Sequence, residues 1–171
     1  MGCDIHAYVE YTDFITHDGK PYWKAIINGA GGRNYKLFGL LAGVRGSDEP
    51  VIPLKGLPDA PMSYIVEDAM FLRVTDDPKL AEESGYATLE NAERWGVTEV
   101  DDDGKPTRCE HPDMHSHGWL TRDELAQVLG TYIVNTDDYG PYGVEWDAIL
   151  AAMTCFTERN IETRLVFAFD N

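Results

Sequence analysis

Polar and apolar residues alternate at the start of the chain: Cys3, Ile5, Ala7 and Val9 fall on one side, Asp4, His6, Tyr8 and Glu10 on the other. This is the period of a half-buried strand, and it sets Asp4 and His6 side by side. A turn at His17-Asp18-Gly19-Lys20 followed by the run Tyr22 to Ile27 predicts an opening β-hairpin. Gly29, Gly31 and Gly32 end that run, and residues 33–42 read as a helix with Leu37, Leu40 and Leu41 on its buried side, closed by Gly43 and Gly46. Pro50, Pro53, Pro58 and Pro61 make residues 47–62 an ordered surface loop long enough to act as a lid.

Farther on, Phe71-Leu72-Arg73-Val74 predicts a short strand within residues 63–74, and residues 78–95 two short helices, the second starting after Thr88. Val97 to Val100 and Thr107 to Cys109 flank the charged turn Asp101-Asp102-Asp103-Gly104-Lys105 and predict a second hairpin. Thr121-Arg122-Asp123-Glu124 is a capping box ahead of Leu125, Val128 and Leu129, which predicts a helix over residues 122–130. A further helix over 143–157 is expected to turn Val144, Ile149, Met153 and Phe156 inward, and the apolar run Leu165 to Phe169, ending at Asp170, suits a central strand. The expected fold is one α/β (α+β) domain spanning 1–171, a mixed sheet with an N-terminal hairpin and a central C-terminal strand, packed by about four helices.

Composition agrees with a packed globule: 171 residues, 43% apolar and 11% aromatic, fill one domain. The net charge of −16 argues against general nucleic-acid binding, because a phosphate backbone would be repelled, while it permits an acidic imitation of DNA. Cys3, Cys109 and Cys155 are too few and too scattered for a disulfide framework, so free thiols in a reducing, cytoplasmic compartment are expected. Met1-Gly2-Cys3-Asp4-Ile5-His6 has neither the basic nor the apolar region of a signal peptide, no apolar run spans a membrane, and His6 stands where a myristoylation signal needs Ser or Thr.

Two groups of residues can carry chemistry. Asp4-x-His6 and the run His111-Pro112-Asp113-Met114-His115-Ser116-His117 pair histidines with acids, and i, i+2 spacing on extended chain puts such side chains on one face. His115 with Asp113, and His6 with Asp4, are candidate acid/base pairs for phosphodiester hydrolysis; the structural alternative is that Asp4 and His6 pair with each other or with backbone near a strand edge. A metal-dependent version would place a divalent ion, zinc or manganese, on Asp4, His6, His115 and Asp170. His111, His117 and the turn residue His17 are expected to be solvated.

The second group is electrostatic. Arg33, Lys36, Arg45 and Lys55 face only Asp48 and Glu49 between residues 29 and 57, and Gly31-Gly32 leading into a helix at Arg33-Asn34 follows the logic of a phosphate cradle. It is neither a P-loop nor a dinucleotide fingerprint, and neutralisation of neighbouring acids is the alternative. Tyr8, Trp23, Tyr35, Trp119, Tyr139 and Tyr142 can stack on a base, Trp119 first among them. Ser116 and Trp119, with Arg33, Asn34, Lys36 and Arg45, complete the expected ligand-binding set.

Three blocks, Met1-Gly2-Cys3-Asp4-Ile5-His6, Arg33-Asn34-Tyr35-x-Leu37-Phe38 through Leu41-Ala42-Gly43-Val44-Arg45, and Asp113-x-His115-Ser116-x-x-Trp119-Leu120-Thr121, together resemble a family of small bacteriophage and prophage proteins. The resemblance implies a phage origin, action in the cytoplasm of the bacterial host, and a counter-defence role. In that setting the chain would bind, and as an enzyme cleave, a nucleotide immune messenger of the cyclic-oligonucleotide or ADP-ribose type. The expected partner is a small nucleotide, with a homo-oligomer permitted and no nucleic acid or membrane. The alternatives are a metal-dependent hydrolase acting on another substrate and an acidic DNA-mimic that inhibits a protein partner.

Overall fold

A computed structural model describes residues 2–28, 33–46, 48–59, 61–135 and 141–170. The fold is α+β, with two four-stranded sheets and five α-helices among the described residues. Contacts within 1–171 fall into two compact units: Met1–Ser63 with His115–Asn171, and the intervening Tyr64–Met114. No helix among the described residues is long and apolar enough to cross a membrane.

The first unit is built on an antiparallel sheet of β1 (Asp4–Thr12), β2 (Lys24–Asn28), β7 (His115–Thr121) and β8 (Glu162–Asp170), in the order β2-β1-β8-β7. The opening hairpin is present, and the C-terminal strand is interior, as the apolar run required. β1 and β8 pair along their whole length, from Asp4 opposite Asp170 to Thr12 opposite Glu162. Ile5, Ala7 and Val9 therefore share a face with Phe169, Phe167 and Leu165, and that face packs on α1 (Tyr35–Ala42), α4 (Arg122–Val134) and α5 (Pro141–Thr157).

Local chemistry fixes the helix ends. The Asn34 side chain accepts from the Leu37 N–H at 3.1 Å, and Gly43 closes α1 at φ 68°, a left-handed conformation natural to glycine. The Thr121 capping box is complete: its hydroxyl accepts from the Glu124 N–H at 3.3 Å, and the Glu124 carboxylate accepts from the Thr121 N–H at 2.8 Å. In α5, Ile149 and Met153 face inward as expected, but Val144 is 64% exposed and the buried aromatic is Trp146. Phe156 is half-buried and stacks on Tyr11 at 4.5 Å between ring centroids.

The second unit holds β3 (Phe71–Val74), β4 (Tyr86–Ala87), β5 (Val97–Val100) and β6 (Pro106–Glu110) in the order β4-β3-β6-β5. β3 and β4 run parallel while the other pairs are antiparallel, so the mixed pairing belongs to this sheet. The short strand, the β5–β6 hairpin and α3 (Leu89–Trp95), capped by Thr88, follow the sequence pattern. Of the two short helices expected over residues 78–95, the first is a single 3-10 turn at Leu80–Glu82. α2 (Tyr64–Met70) precedes β3 in a stretch whose pattern suggested only a strand.

On the other face of the first sheet, Glu10 and Arg164 are directly opposed and almost wholly buried, at 0% and 4% exposure. Arg164 Nε donates to Glu10 Oε2 at 2.8 Å, and Glu10 Oε1 accepts from the Ser63 N–H at 2.5 Å. Burial pulls the guanidinium below its ordinary pKa, and the Glu10 carboxylate counteracts this; arginine stays charged in either case. Removing Glu10 leaves a buried cation without its counter-ion. Glu10→Ala should lose about 3–5 kcal/mol in a urea unfolding titration, whereas the double substitution to leucines should recover most of that loss.

Candidate functional site

The strand pleat decides which expected residues meet. His6 lies opposite Ala168 and His115 opposite Phe169, consecutive positions of β8 whose side chains point to opposite sides. His6 therefore stands on the outer face of the sheet, while His115 lies on the core face, its ring 6.2 Å from that of Phe169. The two histidine clusters do not form one acid/base site. No group of three His, Cys, Asp or Glu side chains among the described residues can hold a metal ion, so the expected set Asp4, His6 and His115 is not assembled.

Each histidine has a partner other than the expected one. His6 Nε2 lies 3.0 Å from Asp170 Oδ2, and Asp170 Oδ1 accepts from the Asp4 N–H at 3.0 Å. The Asp4 carboxylate is turned instead to Arg33, which donates from Nε at 2.7 Å and Nη2 at 3.0 Å. His115 Nδ1 pairs with Ser116 Oγ at 2.9 Å, and its Nε2 is buried without a partner among the described residues. Asp113, expected to orient His115, belongs to the second unit, where its N–H donates to His111 Nδ1 at 3.3 Å. His117, expected to be solvated, is partly buried with His115 and Ser116 on β7, where Ser116 is left-handed (φ 50°) at a break in the register before Gly118. Alternation failed as a signal there because the bulge interrupts it.

The basic stretch is largely tied up in structure. Besides Arg33 on Asp4, Lys36 Nζ donates to both oxygens of Asp48 at 3.0 Å, and Arg45 contacts the buried Cys3 thiol. Burial pushes that thiol up, with Arg45 pulling the other way. Asn34 caps its own helix and donates to the Tyr132 hydroxyl at 2.9 Å, so the start of α1 is already provided with an acceptor. Gly29, Gly31, Gly32, Tyr139 and the Tyr142 side chain lie outside the described residues. Tyr8 is buried and Tyr35 packs edge-on against Phe38 at 5.8 Å.

Trp23 and Trp119 have a different role. They line a cavity of about 290 Å³ on the outer side of the first sheet, together with Pro58, Asp59, Glu162 and Arg164. Arg164 stacks over Trp23 at 3.7 Å from the ring centroid. Its Nη2 donates to the Pro61 carbonyl at 2.8 Å, while Nη1 has no partner among the described residues. The Trp23 indole N–H is likewise buried without an acceptor among them. Lys55 sits over Trp119 at 3.4 Å and donates to Glu124 at 2.7 Å. Burial alone would raise the Glu124 carboxyl, but the hydrogen bonds from Lys55 and Thr121 outweigh it and hold it below its ordinary value.

The proline-rich loop thus forms one wall of this cavity. Leu54 packs on Gly118, where a Cβ would come within 2.9 Å of it and 2.5 Å of Phe167, so glycine alone admits both. Of the cavity residues, the sequence pointed to the two tryptophans. Arg164, Glu162 and Asp59 carried no local motif; Arg164 stood beside an apolar run, and only the register with Glu10 reveals it.

Fold and site together define an α+β protein whose antiparallel sheet carries an aromatic-walled cavity backed by a buried arginine. No family model, curated protein or solved structure matches the chain.

The Asp4–Arg33 bond gives a direct check on the sheet end. Arg33 holds the Asp4 carboxyl below its ordinary value. The folded-state pKa being depressed, the pair contributes stability above the ordinary carboxylate pKa and loses it as pH falls through the lowered value. Arg33→Gln should move the Asp4 midpoint upward in a carboxyl NMR titration; an unchanged midpoint would show that Arg33 is not the cause.

Proposed function

We propose that the protein is a nucleotide-binding protein that captures a small nucleotide signal, its base lodged in the cavity between Trp23 and Trp119. The observation that carries this reading is the cavity itself: the part-exposed Trp119 indole offers a stacking surface, Trp23 backs the wall beneath the stacked Arg164, the guanidinium supplies an unengaged donor, and about 290 Å³ lies near the lower limit for small-ligand sites. Lys55 covers one face of Trp119, so a stacking ring takes the other. The resemblance of the three sequence blocks to phage proteins supplies the setting, removal of an immune messenger from the host cytoplasm. Compared with the sequence-based expectation, the binding centre moves from the basic stretch at Arg33–Arg45, whose side chains are engaged, to the tryptophan cavity.

Isothermal titration with a panel of mononucleotides and cyclic dinucleotides tests the reading. At least one should bind, and Trp119→Ala should weaken it about tenfold, the usual worth of one base stacked on an aromatic side chain. A panel without any binding would remove the proposal.

A second reading, cleavage of the ligand, is favoured by the bond between His6 Nε2 and Asp170 Oδ2 at 3.0 Å. A carboxylate so placed fixes the tautomer and orientation of an imidazole acting as base through its other nitrogen. His6 is one-third exposed and open to a reactant. Chromatography of nucleotides after incubation separates the two outcomes. Intact recovery on heat denaturation means capture alone, whereas new fragments that disappear in His6→Ala and fall strongly in Asp170→Asn mean hydrolysis.

A further inference from the structure

The arrangement of donors and acceptors around the tryptophan cavity narrows what can occupy it. Resting on the nucleotide reading above, we infer that the cavity selects a guanine base over the other nucleobases and recognises the base rather than the phosphate. Arg164 is 4% exposed, fixed through Nε to Glu10 and through Nη2 to the Pro61 carbonyl, which leaves the Nη1 N–H groups for an acceptor on the ligand. Trp23 shapes the same wall, but its indole N–H is buried away from the accessible surface, so Arg164 is the donor available to a ligand there. Asp59 and Glu162, exposed residues that line the same cavity, form no ion pair among the described residues. They are acceptors only, and they seek donors on the ligand.

Phosphate does not fit this pattern. It would bring acceptors to two carboxylates, and the charge of the buried Arg164 is already balanced by Glu10. Guanine does fit. Its O6 and N7 form an acceptor edge suited to an arginine, and its N1–H and N2–H₂ form a two-donor edge that matches the two oxygens of a carboxylate. Adenine has no carbonyl and only one amino group, cytosine offers one amino group, and uracil places its single N–H between two carbonyl oxygens that a carboxylate repels. The Trp119 indole accepts any of the four rings, so the polar groups carry the choice.

The test is competition binding of guanosine, inosine, adenosine, cytidine and uridine, with GMP beside guanosine, to the wild-type protein and to Asp59→Asn/Glu162→Gln. Both positions are exposed, so the double variant keeps the fold. Guanosine should bind at least about tenfold more tightly than inosine, which lacks only the 2-amino group, and than the other three nucleosides. GMP should gain nothing over guanosine. In the double variant the guanosine advantage should collapse to near parity. Equal binding of all five nucleosides, or a large gain from the phosphate, would overturn the guanine assignment while leaving nucleotide capture standing. Absence of binding by every compound, cyclic dinucleotides included, would remove the underlying reading itself.

Discussion

The antiparallel register between β1 and β8 places nearly every side chain of interest. Nine residues at one end of the chain pair with nine at the other, closing a loop of some 150 residues that no local interaction could hold. This register opposes Glu10 to Arg164 and brings Asp170 within reach of both Asp4 and His6. It also aligns the neighbouring β7 so that Trp119 lies across from Val166, on the face that carries Arg164. A slip of one residue would exchange the core and outer faces and destroy both the hydrophobic packing and the cavity. The apolar face of β8, continuous from Leu165 to Phe169 and almost without exposure, makes such a slip costly.

Charge is organised around the same frame. In a chain of net charge −16, the cations of the first unit are mostly engaged by acids: Arg33 by Asp4, Lys36 by Asp48, Lys55 by Glu124 and Arg164 by Glu10. The more exposed pairs are screened by solvent, add little stability, and join segments apart in sequence. The Glu10–Arg164 pair is different in kind. Its burial calls for hydrogen-bond partners from the protein, and the loop at residues 61–63 supplies two, the Pro61 carbonyl and the Ser63 N–H. The same demand holds the loop against the sheet, where it becomes a wall of the cavity, and leaves one arm of the guanidinium unspent.

Elements governed by short-range rules were legible in the chain. The Thr121 capping box, the Gly43 end of α1, the turn at residues 101–104 and the alternation of β1 all depend on residues within a few positions of one another, and all form where the pattern put them, whereas α1 begins at Tyr35, capped by Asn34, instead of at Arg33. The same rules missed β7, because a bulge with Ser116 in a left-handed conformation interrupts its alternation, and they missed α2, whose seven residues give little more than one face to read. They also turned Val144 inward, since periodicity fixes the spacing of a helical stripe more firmly than its direction.

The candidate site divides along the same line. Composition and spacing identified Asp4, His6, Arg33, His115, Trp23 and Trp119 as residues able to do chemistry, because residue type and neighbours carry that information. Which of them meet was decided by tertiary structure. Strand pairing gave His6 the carboxylate of Asp170 in place of Asp4, put His115 on the opposite side of the sheet, and brought Arg164, a residue with no motif around it, into the wall of the outer cavity. The physical reason is the pleat. Side chains of successive strand residues alternate in direction, so the partnership of two distant residues depends on a register that only the assembled sheet defines.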